Sequence, residues 1–549
     1  MPLSEVVGSL VVGTHQALWK ALRCEEDVTV VMHSLRALCT VIVGTPYHRL
    51  PQYMLPQCMH EVYRVWRKYR TYSTNQVLIG SLSCIAAIVG IKPPPAQALV
   101  QYLSITQPSS AMGERREEEG ARLCGDIWAL AMEHDPDGDG DGGTDIDTDT
   151  NATANTSATI GGVQLEAIIA LRGLVQQYFS CIVSLHEGRA VDKGMNLVSL
   201  AKHRMMRLST TADTSPRHEE EKIAQQSILL LGDYVASLSS TGLVDVAIDQ
   251  VFLPAIHATH PTLRAAGYTA ISCVREIPNT PYRAMLVVTA AGALQQDTAS
   301  PVRAAAAKAI ATLIHVPPSL PGKQQEEEDA KFSWSLVGAA VAAAVDETKE
   351  VVAAVRVQGA MALVAFVDGL VERRAMHHHH HHNYGGGSED DEEELLVELA
   401  VPACIRAATD SNDRIKPHGI TAVGAVLAFL IGGAGTAAKK EKNNGIVGGG
   451  GVTDTAFEVI ERCMCESENV KVQWSACDAA GRLLSVVTYR EGGGGGSDDD
   501  DGDAVLEVRQ RQYKLVELLD SLVNTSSNAR TRSLAALARS KWVVVEGQH

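Results

Sequence analysis

A segment that alternates aromatic and basic residues is the part of this sequence best suited to binding chemistry. It reads YRVWRKYRTY over residues 63–72. On a helix, Val62, Trp66 and Tyr69 share one face and the cations project around the other sides. Such a helix can hold nucleic acid by phosphate contacts and base stacking, contact an acidic protein, or simply bury its aromatic face. The candidate partner-binding residues are Arg64, Trp66, Arg67, Lys68, Tyr69 and Arg70.

Three other groups of residues imitate metal sites. Histidines fill residues 377–382, residues 135–146 begin like a calcium-binding EF-hand loop, and Cys463 and Cys465 form a C-x-C pair. The histidine run lies in a Gly-rich, acidic insert, and the loop has Ile146 where an EF-hand needs glutamate. The cysteine pair lacks the second pair that a zinc site requires. We therefore predict that the protein holds no metal.

Motifs for catalysis are missing from the sequence. It contains no P-loop, no G-x-S-x-G elbow and no H-E-x-x-H. Histidines such as His33, His203 and His257 have no acid or nucleophile at motif spacing. We predict a protein that is not an enzyme and uses no cofactor.

Length and composition indicate which elements position these residues. The chain has 549 residues, and hydrophobic residues are 45% of it but aromatic residues only 5%, so small aliphatic side chains must form the core. That composition suits closely packed helices. Eleven scattered cysteines are typical of a reducing compartment, and no uncharged apolar run reaches membrane-spanning length. We expect a cytoplasmic or nuclear protein with no integral membrane segment.

The formal net charge of −17 belongs to low-complexity runs rather than to the scaffold. Four acidic runs, within residues 135–149, 326–329, 389–394 and 498–503, hold 22 acids, so the rest of the chain carries about +5. The acidity therefore says little about a partner.

One helical pattern recurs along the second half of the chain, each time as a basic or polar residue followed by a small-residue amphipathic helix. Its anchors are spaced by 39, 53, 60, 55 and 59 residues, and excising the inserts 317–329, 377–394 and 491–503 shortens three of these to 40, 42 and 46. That period is typical of HEAT or armadillo helix-pair repeats. The anchors are Arg264, Arg303, Arg356, Lys416, Lys471 and Arg530.

Three of these repeats have an acid six residues before the anchor. In HEAT repeats such residues form a ladder of charge-assisted hydrogen bonds between adjacent repeats. We therefore give these side chains a structural role. The predicted ladder residues are Asp297, Arg303, Glu350, Arg356, Asp410 and Lys416.

Breaks in the helical pattern define the expected domains. Residues 1–133 form N-terminal helical repeats, and an Asp/Gly/Thr-rich stretch, residues 134–162, is too polar to fold. Residues 163–260 continue the helical repeats, and residues 261–549 form C-terminal HEAT repeats. The last region carries low-complexity inserts near residues 317–331, 377–394, 433–451 and 491–503.

Several segments together resemble the HEAT-repeat-containing protein 6 group. They include LVVGTHQALWKAL, TPYHRL, QVLIGSLSCIAAIVG, HPTLRAAGYTAIS and VKVQWSACDAAGRL, in the same order as in that family. The resemblance spans nearly the whole chain and implies a domain of unknown function followed by HEAT repeats. It also implies an armadillo-type fold and a protein-interaction role, with no established activity.

The sequence therefore predicts an all-α solenoid, a HEAT/armadillo-type superhelix with acidic and Gly-rich inserts. We expect a non-enzymatic scaffold or adaptor, monomeric, that binds protein partners through its solenoid surface. Two alternatives stay open: a solenoid associated with nucleic acid and a karyopherin-like transport carrier. An acidic protein is favoured over nucleic acid, because one isolated basic patch is a small electrostatic footprint for RNA or DNA.

Overall fold

A computed structural model of the protein contains helices joined by turns, with no strand among the residues it describes. The described residues are 5–70, 75–91, 103, 113–132, 150–184, 190–210, 218–238, 241–274, 277, 280–314, 334–380, 395–437, 449–485 and 501–546. They form two compact units, Met1–Pro278 and Asn279–His549.

The first unit is a double layer of helices. In one layer α2, α4, α6, α8 and α11 pack on each other in chain order, and most of the preceding helices pack against them to form pairs. A π-helical turn, Ile248–Phe252, joins α9 to α10. The helices are α1 (Glu5–Cys24), α2 (Val28–Gly44), α3 (Met54–Tyr69), α4 (Asn75–Val89), α5 (Gly113–Ala131), α6 (Thr150–Ser184), α7 (Ala190–Thr210), α8 (His218–Leu238), α9 (Thr241–Ala247), α10 (Leu253–Ile256) and α11 (Pro261–Ile271).

The second unit repeats this arrangement. Here α13, α15, α17, α19 and α21 form the layer in which each helix packs on the next, and each is paired with the helix before it. A second π-helical turn, Leu395–Ala400, precedes α16. The helices are α12 (Thr280–Gln296), α13 (Ser300–Ile314), α14 (Trp334–Ala344), α15 (Ala353–His380), α16 (Val401–Thr409), α17 (Lys416–Ala437), α18 (Gly449–Glu466), α19 (Val470–Leu484), α20 (Asp501–Thr525) and α21 (Ala529–Glu546).

Local sequence explains where several helices begin and which face they bury. The Asp27 carboxylate accepts a hydrogen bond from the Thr29 N–H and so caps α2. The side chains buried on α2 recur at helical spacing, since Val31, Leu35, Leu38 and Ile42 all have no exposed surface. Stacked pairs with one buried stripe on each helix are the α-solenoid of the HEAT/armadillo type, which confirms the predicted fold class.

Some helices lie near or across the expected region boundaries. Helix α11 packs on α8, in the first compact unit. Helix α6 begins at Thr150, within the stretch 134–162, and α15 continues to His380, within the insert 377–394. A helix can extend beyond its last apolar contact where no proline stops it. Residues 133–149 and 317–331 lie outside the described residues.

One helix of the described residues, Ala353–Glu372, is long and apolar enough to cross a membrane by length and composition. More than half of it is buried inside the second unit. Its neighbours there are α13 and α17, on which its apolar side chains pack.

Gly419 allows the close approach of α17 to α16, and its substitution should be destabilising. A Cβ at this position would lie 2.2 Å from the Ala408 nitrogen and 2.4 Å from the Ala407 carbonyl carbon, both backbone atoms. We expect Gly419→Ala to destabilise the second unit by about 1–3 kcal/mol, because the helices must move apart. Urea denaturation followed by circular dichroism measures this.

Gly292 on α12 provides the matched control, because a Cβ there would meet nothing within 4 Å. Gly292→Ala should raise stability by about 0.5–1 kcal/mol, since alanine is the better helix former. Equal effects of the two substitutions would contradict the packing argument.

Candidate functional site

Helix α3 buries the aromatic side chains of the predicted partner-binding segment. Trp66 has no exposed surface and Tyr69 is 5% exposed, and Tyr63 is buried beside them. The rings therefore belong to the core of the first unit. They do not present a face on which a base could stack.

The basic side chains of the same segment stay at the surface. Arg64, Arg67, Lys68 and Arg70 are all exposed. Three of them lie over buried aromatic rings, with Arg67 5.8 Å from the Tyr63 centroid, Lys68 5.2 Å from Tyr69 and Arg70 5.5 Å from Trp66. Such cation–π contacts restrain the cations without neutralising them. Arg64, Arg67, Lys68 and Arg70 thus form a group, which we call the α3 basic surface.

A buried carboxylate, Glu61, binds Arg64 at one end of the α3 basic surface. Its side chain is 2% exposed and accepts hydrogen bonds from Arg23 Nε of α1, at 2.8 Å, and from Gln57 Nε2, also at 2.8 Å. Arg64 Nε lies 3.3 Å from its other oxygen. Arg64 is therefore partly engaged within the protein. Sequence reasoning missed Glu61, because its partner Arg23 is remote in sequence.

The pKa of Glu61 lies below its ordinary value. Burial acts to raise this pKa. The hydrogen bond and charge of Arg23, together with the charge of Arg64, lower it by more than burial raises it. The carboxylate therefore stays ionised and fixes α3 on α1.

Asp126 of α5 binds Arg70 at the other end of the α3 basic surface. Its Oδ1 accepts a hydrogen bond from Arg70 Nη1 at 2.9 Å, and its Oδ2 accepts one from the Tyr63 hydroxyl at 3.0 Å. Arg64 and Arg70 thus have carboxylate partners in the protein. Arg67 and Lys68 lie between them on the helix and are also exposed.

In the second unit an arginine of one repeat reaches a carboxylate of the next at two places. Arg303 donates from Nε to Glu350 Oε2 at 2.7 Å and from Nη2 to Oε1 at 3.0 Å. Arg356 donates from Nε to Asp410 Oδ2 at 2.9 Å. The Arg356 and Asp410 side chains are 6% and 1% exposed, so water has almost no access to this pair. The structure brings these four predicted ladder residues together as contacts between repeats.

The same arginines also close the turn of their own repeat. Nη1 of Arg356 donates to the carbonyl oxygens of Glu350 and Val351, both at 3.0 Å. Because Glu350 also binds Arg303, each acid–arginine unit contacts the next. A hydrogen bond from a side chain to the backbone carbonyl oxygen six residues earlier recurs in five repeats. The pairs are Arg264–Ala258, Arg303–Asp297, Arg356–Glu350, Gln473–Ser467 and Arg532–Ser526.

The last two repeats place other residues at the anchor position than those expected. Gln473, and not Lys471, donates to the Ser467 carbonyl, at 2.9 Å. Arg532, and not Arg530, donates to the Ser526 carbonyl, at 2.7 Å. Both donors lie two residues after the predicted anchors. A serine, and not an acid, lies six residues before each donor, so the charge pattern that identifies the other anchors is missing at these two turns.

Lys416 departs from the arginine geometry. Its Nζ lies 2.9 Å from Asp413 Oδ1, in the turn of its own repeat. A lysine is a point charge and lacks the planar fork with which arginine binds two groups at once. The pKa of Asp413 lies below its ordinary value, with the hydrogen bond from Lys416 as the largest cause. Asp297, the remaining predicted ladder residue, caps its turn by accepting from the Ala299 N–H at 2.9 Å.

The described residues contain no group of three or more His, Cys, Asp or Glu side chains arranged to hold a metal ion. Cys463 and Cys477 are buried, and Cys465 is exposed. His381, His382 and the acidic residues 135–149 lie outside the described residues.

The paired helices and their ladder define the class of protein, an α-solenoid of the HEAT/armadillo type. Residues 1–97 match DUF4042, a domain of unknown function. No curated protein sequence matches the chain.

Solved structures of solenoids resemble the chain at low sequence identity. The karyopherin Kap121p bound to the SUMO protease Ulp1p matches with a TM-score of 0.51 and 12% identity, over 99% of this chain and 50% of that chain. A multiply substituted Kap121p matches with a TM-score of 0.50 and 13% identity, over 97% and 49%. SYS-1 matches with a TM-score of 0.40 and 12% identity, over 97% and 99%. The chain spans about half the length of the Kap121p chain, and the likeness is one of fold.

Proposed function

We propose that the protein is a non-enzymatic scaffold that binds a protein partner, and that the α3 basic surface contacts acidic residues of that partner. The observation that carries this proposal is the exposure of Arg67 and Lys68 on a helix whose aromatic face is fixed in the core. A rigid helix holds its cations at fixed spacing, so little conformational entropy is lost when a partner binds. Electrostatic complementarity of this kind sets association rate and specificity.

Of the two alternatives, nucleic-acid binding is the less favoured. The buried Trp66 and Tyr69 rings cannot stack on bases, so phosphate contacts alone would have to carry the affinity. A karyopherin-like carrier shares the fold with Kap121p, but a shared fold does not carry a function.

We also propose that the chain belongs to the HEAT-repeat-containing protein 6 group. The order of its motifs and the match of residues 1–97 to a domain of unknown function support this assignment. A monomeric state and a cytoplasmic or nuclear location are part of the same proposal.

Charge reversal on the α3 basic surface tests the proposed function. The double variant Arg67→Glu/Lys68→Glu should weaken binding of the main partner, recovered by proximity labelling in cells and then purified, by about tenfold or more, because attraction becomes repulsion at the interface. Surface plasmon resonance of the purified pair at two salt concentrations measures the loss and its screening.

Lys308 and Lys471 provide the control, since both are exposed cations of the second unit. The variant Lys308→Glu/Lys471→Glu changes the net charge by the same amount and should bind as the unaltered chain does. An equal loss in both variants would mean that only net charge matters. Retention of RNA or DNA at low salt, with no protein partner, would favour the nucleic-acid alternative.

A further inference from the structure

Two cysteines of the first unit lie together between α2 and α4. Cys39 Sγ lies 3.8 Å from the Ser83 carbonyl oxygen, and Cys84 Sγ donates to the Leu35 carbonyl oxygen at 3.2 Å. Each thiol therefore lies against the backbone of the helix that carries the other. The two thiols are also close enough for each to shift the pKa of the other. Cys39 lies on α2 and Cys84 on α4, which pack on each other in one layer.

The two helices approach closely at this point. A Cβ on Gly80, one turn before Cys84, would lie 3.4 Å from Leu35 Cδ1. Leu35, one turn before Cys39, thus packs against α4 one turn before Cys84. Close approach of the helices is what a covalent link between their side chains requires.

A groove gives solvent access to one thiol and not to the other. It has a volume of about 430 Å³ and is lined by Cys39, Ser83, Met32 and Ile79, with Arg36 and Gln76 among its polar residues. Cys39 is partly exposed in this groove, whereas Cys84 has no exposed surface. A small reagent can therefore reach Cys39 first, and Cys84 only through Cys39.

The charge state of Cys39 favours its reaction as a thiolate. The neighbouring Cys84 thiol lowers the pKa of Cys39 to about 7, against the opposing effects of burial and of the Glu166 charge. The thiolate is the reactive form of cysteine, so a large fraction of Cys39 is reactive at neutral pH. The same contact and burial raise the pKa of Cys84.

We propose that Cys39 and Cys84 are a redox-active thiol pair, in which a hydroperoxide oxidises Cys39 and Cys84 then forms a disulfide with it. With hydrogen peroxide, the Cys39 thiolate attacks one oxygen, the O–O bond breaks, and a sulfenic acid and hydroxide result; an organic hydroperoxide gives an alkoxide in place of hydroxide. Cys84 then attacks the Cys39 sulfur, the S–S bond forms and the S–O bond breaks, and the released hydroxide takes the Cys84 proton to give water. With hydrogen peroxide, two thiols lose two electrons and two waters form. The disulfide would join α2 to α4 in a reversible way.

Oxidation of the full chain with hydrogen peroxide tests the pair. After remaining thiols are blocked with N-ethylmaleimide, non-reducing peptide mass spectrometry should show a Cys39–Cys84 link that dithiothreitol removes. In Cys84→Ser the link is lost and Cys39 should accumulate as sulfenic acid, detected with dimedone. In Cys39→Ser, Cys84 should stay reduced because the groove does not expose it.

Cys24 and Cys465 are the internal controls, since both are exposed thiols. Oxidation at these two before Cys39 would overturn the proposal. So would oxidation of Cys39 in the unaltered chain to sulfinic acid with no link to Cys84. Circular dichroism of each variant shows that it has the helical content of the unaltered chain, and the order of oxidation in the unaltered chain tests the proposal without any substitution.

Discussion

Replacing Arg356 with methionine should destabilise the second unit by about 3–5 kcal/mol. The substitution removes the cation that binds Asp410, whose side chain is only 1% exposed, and so leaves a buried carboxylate without its charge partner. It also removes the two bonds from Arg356 Nη1 to the carbonyls of Glu350 and Val351. Urea denaturation with hydrogen–deuterium exchange measures the loss and assigns it to residues 334–437.

Two further variants show whether the buried charge is the cause. Arg482 and Asp478 form an ion pair at 3.3 Å whose side chains are 40% and 51% exposed, so Arg482→Ala should cost less than about 1 kcal/mol. Adding Asp410→Asn to Arg356→Met should recover part of the stability, because no unpaired charge stays buried. If Arg356→Met and Arg482→Ala were equal in effect, burial of the pair would not matter.

The second large effect is expected at Trp66. Trp66→Ala should destabilise the first unit by about 3–5 kcal/mol, because the ring is fully buried beside Tyr63, with 5.4 Å between ring centroids. Trp66→Phe should cost less than about 1.5 kcal/mol, since much of the ring volume is kept. The indole N–H has no hydrogen-bond partner among the described residues, so its removal costs nothing further. Urea denaturation monitored by circular dichroism measures both.

These variants also separate the structural role of Trp66 from a role in binding. Trp66→Phe should bind the partner as the unaltered chain does, whereas Arg67→Glu/Lys68→Glu should not. Arg67→Ala should change the free energy of unfolding by less than about 0.5 kcal/mol, because the side chain is exposed. A loss of partner binding in a fully folded Trp66→Phe variant would contradict this assignment and return the ring to the binding surface.

The sequence contains the signals for the helices and for part of the ladder. Apolar side chains at helical spacing, as on α2, indicate which face is buried, and an acid six residues before a base identifies three turns. The turns that contain Gln473 and Arg532 lack that acid. The sequence pattern therefore assigned the anchor to the nearby basic residues Lys471 and Arg530. A bond from a side chain to a backbone carbonyl leaves no charge pattern in the sequence, so only the folded turn reveals it.

Contacts between remote residues account for the rest of what could not be predicted. Glu61 meets Arg23, Asp126 meets Arg70, and Cys39 meets Cys84 because helix pairs stack. The sequence identified the amphipathic alternative for residues 63–72, but it did not decide between burial and exposure of the rings. Packing against the neighbouring helices α1 and α4 decided that, which is a tertiary effect.

The shared arginine at each turn links the stability of a repeat to that of its neighbour. Arg356 contacts both Asp410 of the following repeat and the carbonyls of residues 350 and 351 in its own turn, so opening either turn removes contacts that the other also uses. Lys416, by contrast, binds Asp413 of its own turn, and the described contacts give it no carboxylate of the following repeat. The coupling between neighbouring repeats is therefore weaker after Lys416 than before it. We expect single repeats after Lys416 to open at a lower cost in free energy.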